Sequence, residues 1–122
     1  MANLLLIDDD LDIHEIVRAF LGASGHDLRC ADSGRRGLEL IAEETPQLII
    51  LDLAMPTMSG QETYAKIRAN PATIMTPVLI MSVHADHEIT PDMRHDGHVS
   101  ALLKPIDLVL LTEAVSAALE RP

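Results

Sequence analysis

The sequence predicts an α/β fold built on an open parallel β-sheet, and three observations support this fold class. Short aliphatic runs recur along the chain without polar alternation, which is typical of strands covered on both faces. Segments with apolar residues at helical spacing lie between these runs, so strands and helices alternate as in right-handed βαβ units. The length of 122 residues fits a single domain with one sheet.

The first strand is predicted at Leu4–Ile7, where four aliphatic residues follow one another. A helix follows it, because apolar residues recur at i, i+3, i+4 and i+7. Either Gly22 or Gly25 is expected to end this helix. The residues that form its predicted apolar face are Ile13, Ile16, Val17, Phe20 and Leu21.

The second strand is predicted at Leu28–Ala31 and the third at Leu48–Leu51. The helix between them should begin after Gly34. It has a shorter apolar repeat, so its predicted buried face rests on few positions. Those positions are Leu38, Ile41 and Ala42.

The third helix is predicted from near Gly60 to a point before Pro71, with Tyr64 and Ile67 on one face. Its end is set by the proline, because the residue before a proline disfavours helical geometry. The fourth strand follows at Val78–Met81. This part of the chain therefore continues the alternation of helix and strand.

The segment from His84 to Gly97 is polar, has almost no apolar face and carries Pro91 in its middle. Thr90 can cap a short helix that has Pro91 at its first position. We therefore expect the fourth helix to be short or irregular.

The fifth strand is predicted at Val99–Leu103. The last helix has the clearest amphipathic stripe in the chain, with Asp107 placed to cap its first turn. The stripe consists of Leu108, Leu111, Val115, Ala118 and Leu119.

Charge and cysteine content exclude several classes of function. Nineteen acidic residues against nine basic ones give a formal net charge of −10, so we expect no direct binding to nucleic acid or to an anionic membrane. The single cysteine, Cys30, excludes an internal disulfide and a multi-cysteine zinc site. No apolar run is long enough to span a membrane, so the expected location is the cytoplasm.

Polar residues follow the aliphatic runs at the points where the predicted strands end. Three carboxylates follow the first strand, Asp52 follows the third, Ser82 the fourth and Lys104 the fifth. The first group consists of Asp8, Asp9 and Asp10. Because ligands of open parallel sheets bind at the carboxyl ends of the strands, we expect these side chains to form one site.

Clustered carboxylates repel one another, and a hard divalent cation such as Mg²⁺ relieves that repulsion. Mg²⁺ commonly completes its coordination with a phosphate oxygen, so a phosphoryl group is the expected anionic partner. A carboxylate can attack phosphorus to form an acyl phosphate when the charges are neutralised. Lys104 would supply positive charge and Ser82 one hydrogen bond. In isolation each of these residues has an ordinary interpretation, since Asp10 and Asp12 also fit helix caps.

Four sequence blocks together resemble the receiver domain of bacterial two-component response regulators. The blocks are LLLIDDD at 4–10, LIILDLAMPTMSG at 48–60, VLIMS at 78–82 and LLKP at 102–105. The resemblance covers the whole chain, residues 1–122. It implies a doubly wound, flavodoxin-like five-stranded sheet with strand order 2-1-3-4-5.

The resemblance also implies the residue roles. Asp52 would accept a phosphoryl group from a histidine kinase or a histidine phosphotransfer protein. Asp8, Asp9 and Asp52, with the backbone carbonyl of Ala54, would bind Mg²⁺ or Mn²⁺. Ser82 and Lys104 would bind the phosphoryl oxygens and transmit the signal to a downstream protein or a fused output domain.

Three departures from the family pattern affect these expectations. Ala101 replaces the aromatic residue that normally moves with the Ser/Thr position, so half of the usual switch is missing. Val83 stands where a small residue is preferred. Ala54 and His84 occupy the two positions that tune hydrolysis of the acyl phosphate, and Ala54 has no side chain to orient water.

The sequence leaves alternative functions open. A phosphorylation-insensitive interaction module is suggested by Ala101. An aspartyl-phosphate enzyme is disfavoured, because its usual acid/base residue would stand where Ala54 is found; we expect no enzyme. The H-x-x-H pairs His84/His87 and His95/His98 have a spacing that fits zinc, but solvated surface histidines explain them without a metal and are the favoured interpretation.

Overall fold

The computed structural model describes residues 2–120 and contains one five-stranded parallel sheet with strand order β2-β1-β3-β4-β5. Met1, Arg121 and Pro122, the ends of the predicted 1–122 domain, lie outside the described residues. The observed sheet confirms the predicted fold class and strand order. The strands are β1 Asn3–Ile7, β2 Asp27–Ala31, β3 Leu48–Asp52, β4 Val78–Ser82 and β5 Val99–Leu103.

Between residues 2 and 120, six helices connect or follow the strands of this sheet. They are α1 Leu11–Ala23, α2 Gly34–Glu43, α3 Gly60–Ala69, α4 Ala85–Glu88, α5 Pro91–His95 and α6 Leu108–Glu120. Within residues 2–120, none of them is both long enough and apolar enough to cross a membrane.

Successive residues of each central strand contribute to different hydrophobic cores. In β1, Leu4 and Leu6 belong to the core shared with α1 and α6, whereas Leu5 and Ile7 belong to the core shared with α2 and α3. Both faces are therefore buried, which explains why the strands have continuous aliphatic sequences.

Side-chain caps fix the beginnings of α1 and α6. Asp10 is the N-cap of α1 and accepts a hydrogen bond from the Asp12 backbone N–H at 2.9 Å. Asp107 accepts hydrogen bonds from the backbone N–H groups of Val109 and Leu110 at 2.9 and 3.1 Å. These bonds satisfy donors that the first turn of a helix leaves without partners. Asp107 caps α6 as the sequence predicted.

Gly25, rather than Gly22, terminates α1. Its φ of 85° lies in the left-handed region, where glycine is least hindered. The Gly25 N–H donates to the Gly22 carbonyl at 3.0 Å, and the His26 N–H donates to the Leu21 carbonyl at 3.1 Å. This pair of bonds is the Schellman helix ending.

The apolar face of α1 is narrower than predicted. Val17 and Leu21 are buried, but Ile16 and Phe20 are 45% and 42% exposed. A single helix layer on a sheet buries mainly an i, i+4 stripe, and the positions beside that stripe lie at its edge. Phe20 instead lines an open groove with Val109 of α6.

The buried face of α2 also differs from the prediction. Ala42 is exposed, and Leu40 is buried together with Ile41. Two glycines let this helix approach its neighbours closely: a Cβ on Gly37 would stand 2.4 Å from Ile7 Cδ1. Glycine carries no hydrophobic signal, so a prediction based on apolar residues shifted the buried face.

The chain between β4 and β5 forms two short helices, α4 and α5, in agreement with the predicted short or irregular fourth helix. Thr90 caps α5 by accepting a hydrogen bond from the Met93 N–H at 3.3 Å, and Pro91 is its first residue. The cap and proline were predicted from the sequence. The division into two helices follows from the absence of a continuous apolar face to pack on the sheet.

A partly buried polar cluster ties α3 to the end of α5. Arg68 Nε lies 2.7 Å from Asp96 Oδ2, and the Tyr64 hydroxyl donates to the same oxygen at 2.5 Å. Arg68 Nη1 also donates to the backbone carbonyls of Thr73 and Thr76, each at 2.8 Å. One guanidinium thus satisfies a carboxylate and two loop carbonyls, as its planar array of donors allows.

Candidate functional site

The carboxyl ends of four strands bring the predicted site residues to one edge of the sheet. Asp52 and Ser82 are the last residues of β3 and β4, while Asp8 and Lys104 directly follow β1 and β5. Backbone pairing continues past the strand ends: the Asp8 N–H donates to Ala31 O at 3.0 Å, and the Lys104 N–H donates to Ser82 O at 2.8 Å. These bonds fix the backbone positions of Asp8 and Lys104. The edge formed by Asp8, Asp52, Ser82 and Lys104 is called the rim below.

Lys104 lies between two buried carboxylates. Its Nζ is 3.2 Å from Asp8 Oδ2 and 3.2 Å from Asp52 Oδ1. The side chain of Asp8 is fully buried, that of Asp52 is 2% exposed and that of Lys104 is 20% exposed. The peptide bond between Lys104 and Pro105 is cis. Lys104 is the most exposed of these three side chains.

Three carboxylates gather beside Lys104. One carboxylate oxygen from each of Asp8, Asp9 and Asp52 lies within 4.8 Å of the others, and Asp9 is exposed. This all-oxygen donor set suits a hard cation such as Mg²⁺. The residues present therefore fit the divalent cation that the sequence predicted.

The burial and the clustering of charge change the acidity of the site. Burial, followed by the negative charge of Asp8, raises the pKa of Asp52 to about 6, although Lys104 opposes this shift. Burial acts against the charged form of Lys104, but the charges of Asp8 and Asp52 outweigh it and raise the pKa of the lysine. The ammonium group therefore stays charged at neutral pH.

Local hydrogen bonds hold the two buried carboxylates in place. Asp8 Oδ1 accepts from the Asp10 N–H at 2.9 Å, and Asp52 Oδ1 accepts from the Ala54 N–H at 3.3 Å. His14 Nε2 lies 2.6 Å from the Asp8 carbonyl oxygen. His14 was not predicted from the sequence, since only the first turn of α1 brings it back over the end of β1.

The loop after β3 passes close to Asp52. The Gly60 N–H donates to the Leu53 carbonyl at 3.1 Å, and a Cβ on Gly60 would stand 2.4 Å from the Asp52 carbonyl oxygen. Thr57 has a φ of 65°, which is rare for a β-branched residue and is typical of constrained functional loops. Ala54 is exposed beside the carboxylates.

Ser82 is buried, and its hydroxyl donates to the Glu88 carboxylate of α4. The same Glu88 oxygen accepts hydrogen bonds from the backbone N–H groups of Val83 and His84, each at 3.0 Å. Glu88 was missed because it lies in the polar segment without periodicity, and no sequence spacing signals a contact between its side chain and the end of β4.

Ala101 lies exposed on β5, the edge strand, at a surface cavity of about 320 Å³. Ile89, Met93 and Arg94 form the opposite wall of this cavity. The structure thus leaves open space beside the position at which the sequence pattern lacks an aromatic ring.

The histidine pairs do not build a zinc site in the part of the chain that the structure describes. The rings of His84 and His87 lie 6.3 Å apart between centroids. Over residues 2–120, the only group of three or more potential metal ligands is the acidic cluster of Asp8, Asp9 and Asp52. The surface interpretation of the histidines is therefore preferred.

Comparison with known proteins points to one family. The family model described as "Response regulator receiver domain" matches residues 4–116 of this chain. The transcriptional regulatory protein ZraR of Escherichia coli is 34% identical over 118 residues and matches 96% of this chain. AfsQ1 of Streptomyces coelicolor is 31% identical over 121 residues, which are 99% of this chain. The chain spans about a quarter of the length of ZraR (26%) and about half of AfsQ1 (52%).

Solved structures agree with the sequence comparison. A putative response regulator from Chloroflexus aurantiacus superimposes with a TM-score of 0.87 at 28% identity, covering 99% of this chain and all of the other. The signal receiver domain of a putative LuxO repressor from Vibrio parahaemolyticus gives a TM-score of 0.88 at 28% identity, covering 98% and 91%.

Proposed function

This chain belongs to the response regulator receiver family, and from that premise we propose that it accepts a phosphoryl group on Asp52 in a Mg²⁺-dependent reaction. The donor is a histidine kinase or a histidine phosphotransfer protein. The modified domain then changes conformation and passes the signal to a downstream protein or a fused output domain. Receiver domains of this family act as signalling modules in two-component phosphorelays.

The proposed covalent step uses the Asp52 carboxylate as the nucleophile. One of its oxygens donates a lone pair to phosphorus and forms the new P–O bond. The P–N bond of the donor phosphohistidine, whose other ring nitrogen carries a proton, breaks, and the electron pair of that bond stays on the imidazole nitrogen. The product is an acyl phosphate on Asp52 and a neutral histidine on the donor.

Lys104 and Ser82 have binding roles in this proposal. Lys104 Nζ, 3.2 Å from Asp52 Oδ1, offsets the negative charge that a phosphoryl group brings to a rim already rich in carboxylates. The Ser82 hydroxyl, at the end of the neighbouring strand, donates a hydrogen bond to a phosphoryl oxygen. Ser82 is the last residue of β4 and Lys104 directly follows β5, the two strands that come after β3 in the sheet.

The carboxylates of Asp8, Asp9 and Asp52 would hold Mg²⁺ or Mn²⁺, together with the backbone carbonyl of Ala54. Their ligand atoms lie within 4.8 Å of one another. Bound Mg²⁺ supplies charge neutralisation for the carboxylates and for the phosphoryl oxygens. Asp8 is fully buried and accepts a hydrogen bond from the Asp10 N–H. Its carboxylate would therefore be the ligand of this set that is held most firmly in place.

The observation that carries the proposal is the single lysine placed 3.2 Å from both Asp8 and Asp52 at the sheet edge. To test it, the purified chain is incubated with MgCl₂ and acetyl phosphate, and its intact mass is measured. We expect one added phosphoryl group on the wild type and none on Asp52→Asn, because an amide oxygen is a far weaker nucleophile.

Asp27→Asn is the matched control, since Asp27 is an exposed aspartate at the opposite end of the sheet. It should be labelled like the wild type, and chelation with EDTA should stop labelling of both. Equal labelling of Asp52→Asn, or labelling that continues in EDTA, would contradict the proposed acceptor or the proposed metal requirement.

We also propose that the chain has no metabolic enzyme activity and works in the cytoplasm. Ala54 offers no acid/base side chain beside Asp52, which supports a carrier of the phosphoryl group rather than a phosphatase. The phosphorylation-insensitive alternative suggested by Ala101 is not favoured, because every residue that the phosphoryl chemistry needs is retained at the rim.

A further inference from the structure

Glu88 connects the phosphoryl site to α4. It is the last residue of this four-residue helix, and its Oε1 atom accepts hydrogen bonds from the Ser82 hydroxyl and from the backbone N–H groups of Val83 and His84. Gln61 Nε2 donates to the Glu88 carbonyl at 2.8 Å. Glu88 therefore ties α4 to the end of β4 through its side chain and to α3 through its backbone.

The Ser82 hydroxyl has one proton to donate. In the structure this proton is used by Glu88, whereas the proposed function requires it for a phosphoryl oxygen. The two acceptors therefore compete for one donor. Burial acts to raise the pKa of Glu88, but the hydrogen bonds from Ser82, His84 and Val83 outweigh it and hold the pKa below its usual range, so the competing acceptor is an ionised carboxylate.

We propose that Glu88 is a positioning residue that holds Ser82 in the unphosphorylated arrangement, and that phosphorylation of Asp52 releases it. This inference rests on the proposed function, because it needs a phosphoryl group beside Ser82. When Ser82 turns to that group, Glu88 loses one of the three hydrogen bonds that its side chain accepts. The contact supplies a route from the site to the surface in a chain that has Ala101 in place of the switch aromatic.

The segment that Glu88 holds is poorly anchored by other means. The N-cap position of α4, His84, makes no side-chain capping bond, and none of the residues 85–88 is buried. Besides the hydrogen bonds made by Glu88 and Gln61, α4 accepts one from the Arg94 side chain. Arg94 Nη2 donates to the Ala85 carbonyl at 3.3 Å, which is long for a hydrogen bond. A helix this short has little stability of its own, so the loss of one charge-assisted bond changes its position.

The test is a double-mutant cycle of Glu88→Gln and Ser82→Ala, with beryllofluoride in MgCl₂ as the phosphoryl mimic and isothermal titration calorimetry as the readout. Glutamine keeps the size of the side chain but removes the charge that makes it a strong acceptor. We expect Glu88→Gln to bind beryllofluoride about three- to tenfold more tightly than the wild type, as a charge-assisted bond no longer competes. In the Ser82→Ala background the same substitution should change affinity less than about twofold.

Glu113→Gln on α6, an exposed glutamate, is the matched control and should bind like the wild type. If Glu88 only stabilises α4, Glu88→Gln will have the same effect with and without Ser82, and the inference is overturned. Unchanged or weaker binding by Glu88→Gln also overturns it. If the wild type binds no beryllofluoride, the proposed function is overturned. The proposed competition between Glu88 and a phosphoryl group for the Ser82 hydroxyl is then overturned as well.

A second measurement does not depend on phosphoryl chemistry. The side-chain carboxyl of Glu88 is titrated by NMR in the wild type and in Ser82→Ala. We expect a higher Glu88 pKa in the variant, because a donor to the ionised form is lost. An unchanged pKa shows that Ser82 and Glu88 are not coupled and overturns the inference, whatever the calorimetry gives.

Discussion

At the scale of single residues, the rim of the sheet has more negative than positive charge. Asp8, Asp9 and Asp52 contribute three carboxylates, and Lys104 is the one cation that contacts them among residues 2–120. The burial of Asp8 and Asp52 makes this imbalance costly, because water does not screen their mutual repulsion. The cluster therefore lowers the stability of the fold unless a bound cation offsets its charge.

Replacing Gly60 with alanine adds a single methyl group, yet this change should have a large effect on stability. A Cβ there would stand 2.4 Å from the Asp52 carbonyl oxygen and 2.4 Å from Leu53 Cα, and both are backbone atoms that cannot rotate away. We expect Gly60→Ala to lower the free energy of unfolding by about 3 kcal/mol. It should also slow the labelling of Asp52 by acetyl phosphate. Urea unfolding measures the first effect.

Gly22→Ala is the control for this prediction. Gly22 lies in α1, and beyond its own helix backbone nothing stands within 4 Å of the place that a Cβ would take. Alanine should therefore stabilise the helix by about 0.5–1 kcal/mol. A Gly60→Ala protein as stable as the Gly22→Ala protein would show that the loop after β3 does not hold its backbone against Asp52.

At the scale of elements, the region from β4 to β5 separates what local sequence can predict from what it cannot. Thr90 and Pro91 act through their own neighbours, so the start of α5 was predicted from the sequence. The contact of Glu88 with Ser82 depends on how α4 returns to the sheet, and that of Arg68 with Asp96 depends on two elements about 28 residues apart. No periodicity encodes such contacts.

The cluster of Arg68, Tyr64 and Asp96 predicts a pH dependence of stability. Burial acts to raise the pKa of Asp96, but hydrogen bonds from Tyr64, the His98 backbone N–H and Arg68 outweigh it and lower the pKa below its usual value of 3.8. Because the folded state prefers the ionised form, this contribution to stability is complete above about pH 4 and is lost as the pH falls through the lower, folded-state pKa.

Asp96→Asn should therefore be less stable than the wild type at neutral pH, by about 2 kcal/mol, and the difference should shrink as the pH falls below about 4. Urea unfolding of both proteins over that range measures the difference. Asp92→Asn, on the exposed side of α5, is the control and should change stability by less than about 0.5 kcal/mol. A constant difference between Asp96→Asn and wild type at all pH values would contradict the charge argument.

At the scale of the whole molecule, the central strands β1, β3 and β4 were the most predictable elements, because strands covered on both faces have continuous aliphatic sequences. Their order in the sheet came from resemblance to a family, since βαβ patterning alone permits several orders. Helix faces were less predictable: Phe20 and Ala42 fit an apolar repeat but are exposed. The site residues were predictable because they follow strand ends, whereas Glu88 and His14 depend on tertiary contacts.

A cation that binds only the folded site should stabilise the whole domain. At a Mg²⁺ concentration ten times its dissociation constant, linkage gives about 1.4 kcal/mol of stabilisation, or a rise in Tm of about 4–7 °C for a domain of this size. Differential scanning calorimetry with and without MgCl₂ measures this rise. The fold provides the reason: the three ligands gather only when β1 and β3 pair.

Asp9→Ala is the informative variant for this prediction, since Asp9 is exposed and its loss should leave the fold intact. Its Tm without metal should be no lower than that of the wild type, because one of the repelling carboxylates is removed, and most of the Mg²⁺-dependent rise should disappear. Sodium chloride at equal ionic strength controls for screening. A rise of the same size with sodium chloride would show that the effect is not due to cation binding at the rim.

The bond from Lys104 to Asp8 joins positions 96 residues apart, near the two ends of the described chain. Nascent or damaged polypeptides in which β5 has not docked lack the ammonium group beside Asp52. Under the proposed function, such molecules would lack part of the acceptor site, so only chains that have finished folding would accept a phosphoryl group. The separation of Asp8 and Lys104 along the polypeptide would thus make phosphoryl acceptance depend on complete folding of the domain.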